Sequence, residues 1–214
     1  MGVEHIRDDW ATLRNYDQIA ITEDALLGLR LAGRLGRAEE ALGGDRDAWW
    51  FDGEASRGLR LGDAALLRLD GRLEGRLEDG DAVDTTLRGR ARYYRETGER
   101  RLFYATFEAQ YGHALDLDGR SYLGGETGLR GYPLNWAGGE HYARLSLEQR
   151  YFTDWYPWRL FRVGGAMFLD VGRTWGDDGL GTPNPGTLAN VGVGLRLSNT
   201  RSAFARVIHI DLAV

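Results

Sequence analysis

Residues Leu67–Glu78 read LRLDGRLEGRLE, and two secondary structures compete for them. Leu69, Leu73 and Leu77 recur every four residues, as along one stripe of a helix. Every odd position is also Leu or Gly and every even position is charged, which is the alternation of a strand. A helix would hold Gly71 and Gly75 in its interior at roughly 1 kcal/mol each relative to Ala, and its apolar stripe would be one leucine wide. A strand puts Leu67, Leu69, Gly71, Leu73, Gly75 and Leu77 on one face and Arg68, Asp70, Arg72, Glu74, Arg76 and Glu78 on the other. Leu, Arg and Glu all favour helices, so this segment alone does not decide and its neighbours arbitrate.

Most of the chain repeats the alternation. Leu27, Leu29, Leu31 and Leu35 oppose Gly28, Arg30, Ala32 and Arg34; Trp49, Phe51, Gly53, Ala55, Leu59 and Leu61, interrupted by Arg57, oppose Asp52, Glu54, Ser56 and Arg60. Val83, Leu87, Ala91 and Tyr93 oppose Asp84, Thr86, Arg88, Arg90 and Arg92. Phe103, Ala105, Phe107, Ala109 and Tyr111 oppose Tyr104, Thr106, Glu108 and Gln110. Leu145, Leu147 and Tyr151 oppose Arg144, Ser146, Glu148 and Arg150, and Phe161, Val163, Met167, Leu169 and Val171 oppose Arg162, Ala166, Phe168 and Asp170. Val191, Val193, Leu195 and Leu197 then oppose Gly192, Gly194, Arg196 and Ser198, and Phe204, Ile208, Ile210 and Leu212 oppose Ala205, Val207, His209 and Asp211. Roughly ten strands of about 10 to 15 residues follow, longer than is usual in soluble sheets and long enough for tilted membrane strands. Tight turns such as LGDA and ETGE alternate with longer tracts such as GDDGLGTPNPGT, as periplasmic turns alternate with external loops.

Composition narrows the function. The 214 residues carry a formal net charge of -5, with a mean hydropathy of -0.43. There is no run of about 18 apolar residues to cross a bilayer as a helix. A barrel strand leaves a far weaker trace, so a membrane stays open. The absence of cysteine removes disulfides, thiolate nucleophiles and cysteine metal sites. All 27 basic residues are Arg, whose planar guanidinium pairs bidentately with carboxylates, so a polar interior built from them can be satisfied. The acidic balance argues against a nucleic-acid partner. The opening MGVEHIRDDW has no positive segment followed by an apolar one, so the sequence reads either as cytoplasmic or as a piece of a longer exported chain.

Alternation does not tell a soluble barrel, apolar face inward, from an outer-membrane barrel, apolar face toward lipid. Glycines and small residues on both faces and both charge signs on the polar faces favour the membrane. So do aromatics near strand ends: Trp49, Trp50, Tyr93, Tyr94, Tyr151, Trp155, Tyr156, Trp158 and Trp175. The plainer reading packs those rings in a soluble core.

Three motifs sharpen the choice. GGETGLRGYP contains Arg130, Gly131 and Tyr132; SLEQRYF contains Glu148; MFLDVG contains Phe168, Asp170 and Gly172. In this order they resemble the C-terminal barrel region of the bacterial surface antigen family, the outer-membrane assembly and translocation superfamily. NVGVGLRL and VIHIDLAV are similar to its last two strands. The resemblance implies an all-β, antiparallel transmembrane β-barrel. The ten or so strands here would be the C-terminal portion of a barrel of about sixteen, with residues 25–214 as barrel and residues 1–24 as a remnant of a preceding strand or loop. It also implies that the loop bearing Arg130 folds back into the lumen. Gly131 would let Arg130 approach the wall, where Glu148 and Asp170 would both receive its guanidinium; the plainer alternative leaves Arg130 in an external Gly-rich turn. Val214 departs from the aromatic terminal residue common to such barrels, and periplasmic repeats are not seen.

No G-x-S-x-G elbow, P-loop or H-E-x-x-H motif occurs, and His5, His113, His141 and His209 are scattered. No enzyme activity, catalytic residue, metal site or cofactor is therefore expected, and DLDG at Asp116 reads as a hairpin turn. The expected location is the bacterial outer membrane, with membrane lipid and a client outer-membrane or secreted protein as partners. The leading expectation is insertion, assembly or translocation of proteins. The alternatives are a barrel anchor or pore for an upstream passenger such as a patatin-like lipase, and a soluble β-barrel binding protein.

Overall fold

The computed structural model describes residues 1–17, 19, 22–199 and 207–214. Leu67–Glu78 lies within a strand, and no α-helix occurs among the described residues. In chain order the strands are β1 (Gly2–Ile6), β2 (Trp10–Arg14), β3 (Thr22–Leu26), β4 (Arg30–Ala38), β5 (Ala48–Arg60), β6 (Ala65–Glu78) and β7 (Asp81–Gly98). There follow β8 (Arg101–His113), β9 (Ser121–Leu123), β10 (Ala137–Gly139), β11 (His141–Phe152), β12 (Phe161–Trp175), β13 (Leu188–Asn199) and β14 (Val207–Ala213). Ten of them form one antiparallel sheet in the order β1-β4-β5-β6-β7-β8-β11-β12-β13-β14, and β2–β3 and β9–β10 are separate pairs. The expected closed barrel is here an open sheet: closure needs the first and last strands to pair, and β1 and β14 are its two edges. Phe204 and Ala205, assigned above to the last strand, lie outside the described residues.

The alternating faces have opposite fates. Leu69, Leu73 and Leu77 of β6 are 40%, 43% and 41% exposed, and Met167, Val193 and Ile210 are exposed farther along the same face. Asp52, Glu108, Glu148 and Asp170 on the other face are buried. Charges there neutralise one another across strands: Arg72 Nη2 lies 2.9 Å from Asp52 Oδ2 and 2.8 Å from Glu74 Oε2, and Arg92 Nη2 lies 2.8 Å from Asp70 Oδ2. The apolar face is thus bare, whereas the charged face is partly covered: its carboxylates Asp52, Glu108, Glu148 and Asp170 are buried while Arg34, Arg88 and Arg90 stay exposed.

Two bulges shift the sequence-derived phase. Arg76 pairs with Val83 after Glu74 has paired with Thr86, so Asp84 and Thr85 stand against Gly75 alone and one extra residue of β7 is taken up there. Asp84 there has φ 46°, and Val83 joins the Arg76 face instead of the apolar one. The second shift corrects Leu27. The amides of Leu27 and Gly28 both bond to the Asp9 carbonyl, at 2.7 and 3.1 Å. Two residues thus face one, and the hairpin bends. A Cβ on Gly28 would lie 1.6 Å from the Arg7 carbonyl oxygen, so only glycine fits the bend.

Beyond that bend, β2 and β3 are the tip of the hairpin formed by β1 and β4, folded onto the charged face. Tyr16, Leu66, Tyr94 and Leu102 form a buried cluster with Leu13, Ala25, Leu27, Tyr104 and Phe152 packed against it. Tyr94 Oη donates to Asp17 Oδ1 at 3.0 Å, and Arg150 Nη1 donates to the Tyr16 carbonyl at 2.7 Å. Gly28→Val should therefore release the tip. Limited proteolysis should show faster cleavage within residues 10–26 while circular dichroism retains the strand signal, and unchanged cleavage would refute the bend's dependence on glycine.

Candidate functional site

The longest covered connection runs from the end of β8 to the start of β11 and lies on the charged face. Its β9–β10 pair holds the stem, with Ala137↔Leu123 in register. At the tip, Gly124, Gly125 and Gly128 have φ of 130°, 56° and 109°. The Gly125 amide reaches the carbonyls of both Leu129 and Tyr132, at 3.0 and 2.8 Å. Leu123, Leu129, Ala137, Tyr142 and Leu188 are buried together, with Tyr132 against them. Gly172 is the floor under this pad: a Cβ there would sit 3.0 Å from Leu123 Cδ1 and 3.3 Å from Leu129 Cδ2.

The wall beneath Arg130 is built by cross-strand rows. Ser146, Asp170 and Asn190 are register neighbours on β11, β12 and β13, and the next row holds Glu148, Phe168 and Gly192. A further row carries Arg150, Ala166, Gly194 and Asp211. Small residues shape the wall. A Cβ on Gly192 would come within 2.4 Å of Phe168 Cζ, so the ring occupies the space over that glycine.

Arg130 fills the resulting recess. Its Nε and Nη2 donate to Asp170 Oδ2 and Oδ1 at 2.9 and 2.7 Å, a bidentate pair. Nη1 donates to Glu148 Oε1 at 2.6 Å and to Asp211 Oδ2 at 3.2 Å, and Nη2 also reaches Ser146 Oγ at 3.1 Å. Its Cζ stands 3.5 Å from the centre of the Phe168 ring, a cation–π contact. Burial works against the charge, but the bonds and charges of Asp170 and Glu148 outweigh it and raise the pKa of Arg130 further above the ordinary arginine range. Arg150 Nε donates to Glu148 Oε2 at 2.8 Å, Arg196 lies 3.5 Å from Glu148 Oε1, and Arg196 also pairs with Asp211. Three guanidinium groups and three carboxylates thus form a neutral buried network.

The structure brings all seven sequence-predicted residues to one place. Arg130, Glu148, Phe168 and Asp170 touch directly. Gly131 lies against the wall, where a Cβ would be 2.7 Å from Asn190 Cβ. Tyr132 Oη donates to the Ala189 carbonyl at 3.0 Å, and Gly172 is the floor. Sequence reasoning missed Ser146, Arg150, Asn190, Arg196 and Asp211. Ser146 Oγ and Asn190 Nδ2 donate to Asp170 at 2.6 and 3.0 Å; their shared even phase with Asp170 was visible, but the register was not. Among the described residues no group of three or more His, Asp or Glu is placed to hold a metal ion. The contacts of Arg130 tie its loop to β11, β12 and β14.

A loop clasped by its arginine to consecutive strands of a sheet with a bare apolar face agrees with the comparison by family. The Omp85 superfamily domain matches residues 27–214. The chain belongs to the Omp85 superfamily. Omp85 proteins are associated with the bacterial outer membrane and act in protein insertion and translocation there. No curated protein and no solved structure matches the chain.

Removing the guanidinium leaves buried carboxylates uncompensated, so Arg130→Ala should lower unfolding stability by about 3 to 5 kcal/mol. Arg130→Lys keeps the charge but loses the fork and should fall between. Urea unfolding midpoints in detergent micelles test this, and an Arg130→Ala variant as stable as the parent would rule out the anchoring role.

Proposed function

We propose that this Omp85 chain supplies part of a transmembrane β-barrel wall, without catalytic groups of its own, in a protein that inserts or translocates other proteins at the outer membrane. The observation that carries this reading is the division of the ten-stranded sheet. One face exposes Leu, Val, Ile and Met side chains along whole strands. The other is lined with ion pairs and partly covered by the Arg130 loop and the β2–β3 hairpin tip. Exposed apolar area of that extent needs hydrocarbon or a partner, and hydrocarbon accepts it without further contacts. Backbone at the two sheet edges is left for pairing with further strands, by which a strand of a client or of the same barrel can be added.

Leu73, in the middle of β6, tests the lipid contact. In bilayer vesicles Leu73→Arg should cost about 2 to 4 kcal/mol, the value for arginine at a midplane; a change within about 0.5 kcal/mol, as at a wetted surface, would count against it. Depletion tests the activity. Loss of the protein carrying this chain should lower the levels of several other outer-membrane barrels, or of one secreted client, with no recovery from an Arg130→Ala copy. Unchanged levels of every outer-membrane and secreted protein would reject insertion and translocation.

A further inference from the structure

Charges on the two faces of the sheet are distributed by different rules. Following the register from strand to strand, the apolar face of the ten strands carries no Asp or Glu among the described residues, yet it carries Arg37, Arg57, Arg95, Arg101 and Arg173. Two of these are already engaged at the edge where the Arg130 loop emerges. Arg37 lies 2.8 Å from Glu39 and stacks on Trp49, and Arg173 stacks on Trp175, each at 5.4 Å from the ring centre.

The opposite edge differs. Arg95, paired in register with Phe103, and Arg101, paired with Tyr151, stand at the two arms of the β7–β8 hairpin. Both are exposed, and neither side chain has a hydrogen bond, ion pair or ring contact among the described residues. Glu99 in the intervening turn forms no ion pair among the described residues, and the turn's Arg100 is paired with Asp154. Tyr93 and Phe103 meet edge to face beside them, with centroids 6.3 Å apart. Arg57, opposite Leu69, is farther along the same face, and its stem is long enough to carry the charge toward that edge.

We propose that Arg95 and Arg101 hold the phosphate headgroup of an anionic phospholipid, with Tyr93, Phe103 and Tyr151 packing against its upper acyl chain. Guanidinium groups bind phosphate through paired N–H donors, and rings at this level sit at the boundary between headgroup and hydrocarbon. An apolar surface bearing only cations suits an apolar ligand with an anionic head. The proposal rests on the membrane reading above, and it fixes a position and a headgroup charge that the reading leaves open.

The test uses the protein reconstituted in phosphatidylcholine vesicles with and without phosphatidylglycerol, with spin-labelled lipids of each type reporting association. Incorporation into pure phosphatidylcholine is scored separately by resistance to urea extraction. Each arginine near an anionic surface contributes a preference of about fivefold, so the parent should favour phosphatidylglycerol and Arg95→Gln/Arg101→Gln should lose most of that preference while still incorporating. Arg173→Gln, at the opposite edge, should retain it. A parent without preference, or a double variant that keeps it, overturns the headgroup site alone. Failure to incorporate into any vesicle overturns the membrane reading and the site with it.

Discussion

The bidentate contact of Arg130 with Asp170 joins a loop to a wall strand 40 residues away, and much of the local architecture exists to permit it. A buried guanidinium is tolerable only when its donors and charge are both matched. Asp170 matches the fork, Glu148 and Asp211 accept the remaining donor, and Phe168 closes the open face of the cation. The glycines follow from this demand. Gly192 makes room for the Phe168 ring, Gly131 lets the loop backbone touch the wall, and Gly172 makes room for the leucines that support the loop from behind.

The same constraint explains why the sheet keeps a strict period of two over long strands. A one-residue slip would put arginines among the leucines and empty the neutral network. Where the register does change, a bulge absorbs it locally. At Gly75 the bulge brings Asp84 to Arg76 Nη1 at 3.0 Å, so even the irregularity ends in a satisfied pair.

Strand identity was legible because LRLDGRLEGRLE is one of many segments in the same phase. The charges that meet at Arg130 were legible as three ordered motifs. Register was not: Ser146 and Asn190 become partners of Asp170 only when β11, β12 and β13 are aligned, and nothing in their local sequence sets that alignment. The phases of Leu27 and Val83 were misread because bulges leave no periodic trace. Sheet closure was also beyond reach, since alternation describes faces of strands and is silent on how many neighbours each edge has.

Arg150 links the two coverings mechanically. One of its nitrogens holds Glu148 in the network around Arg130, another holds the Tyr16 carbonyl of the folded hairpin tip, and its Cζ lies 4.0 Å from the centre of the Tyr104 ring. The two coverings of the charged face therefore lean on a common strut. Pulling the hairpin tip away would free one end of that strut and loosen the grip on the loop, so the two coverings would come off the charged face together and not independently.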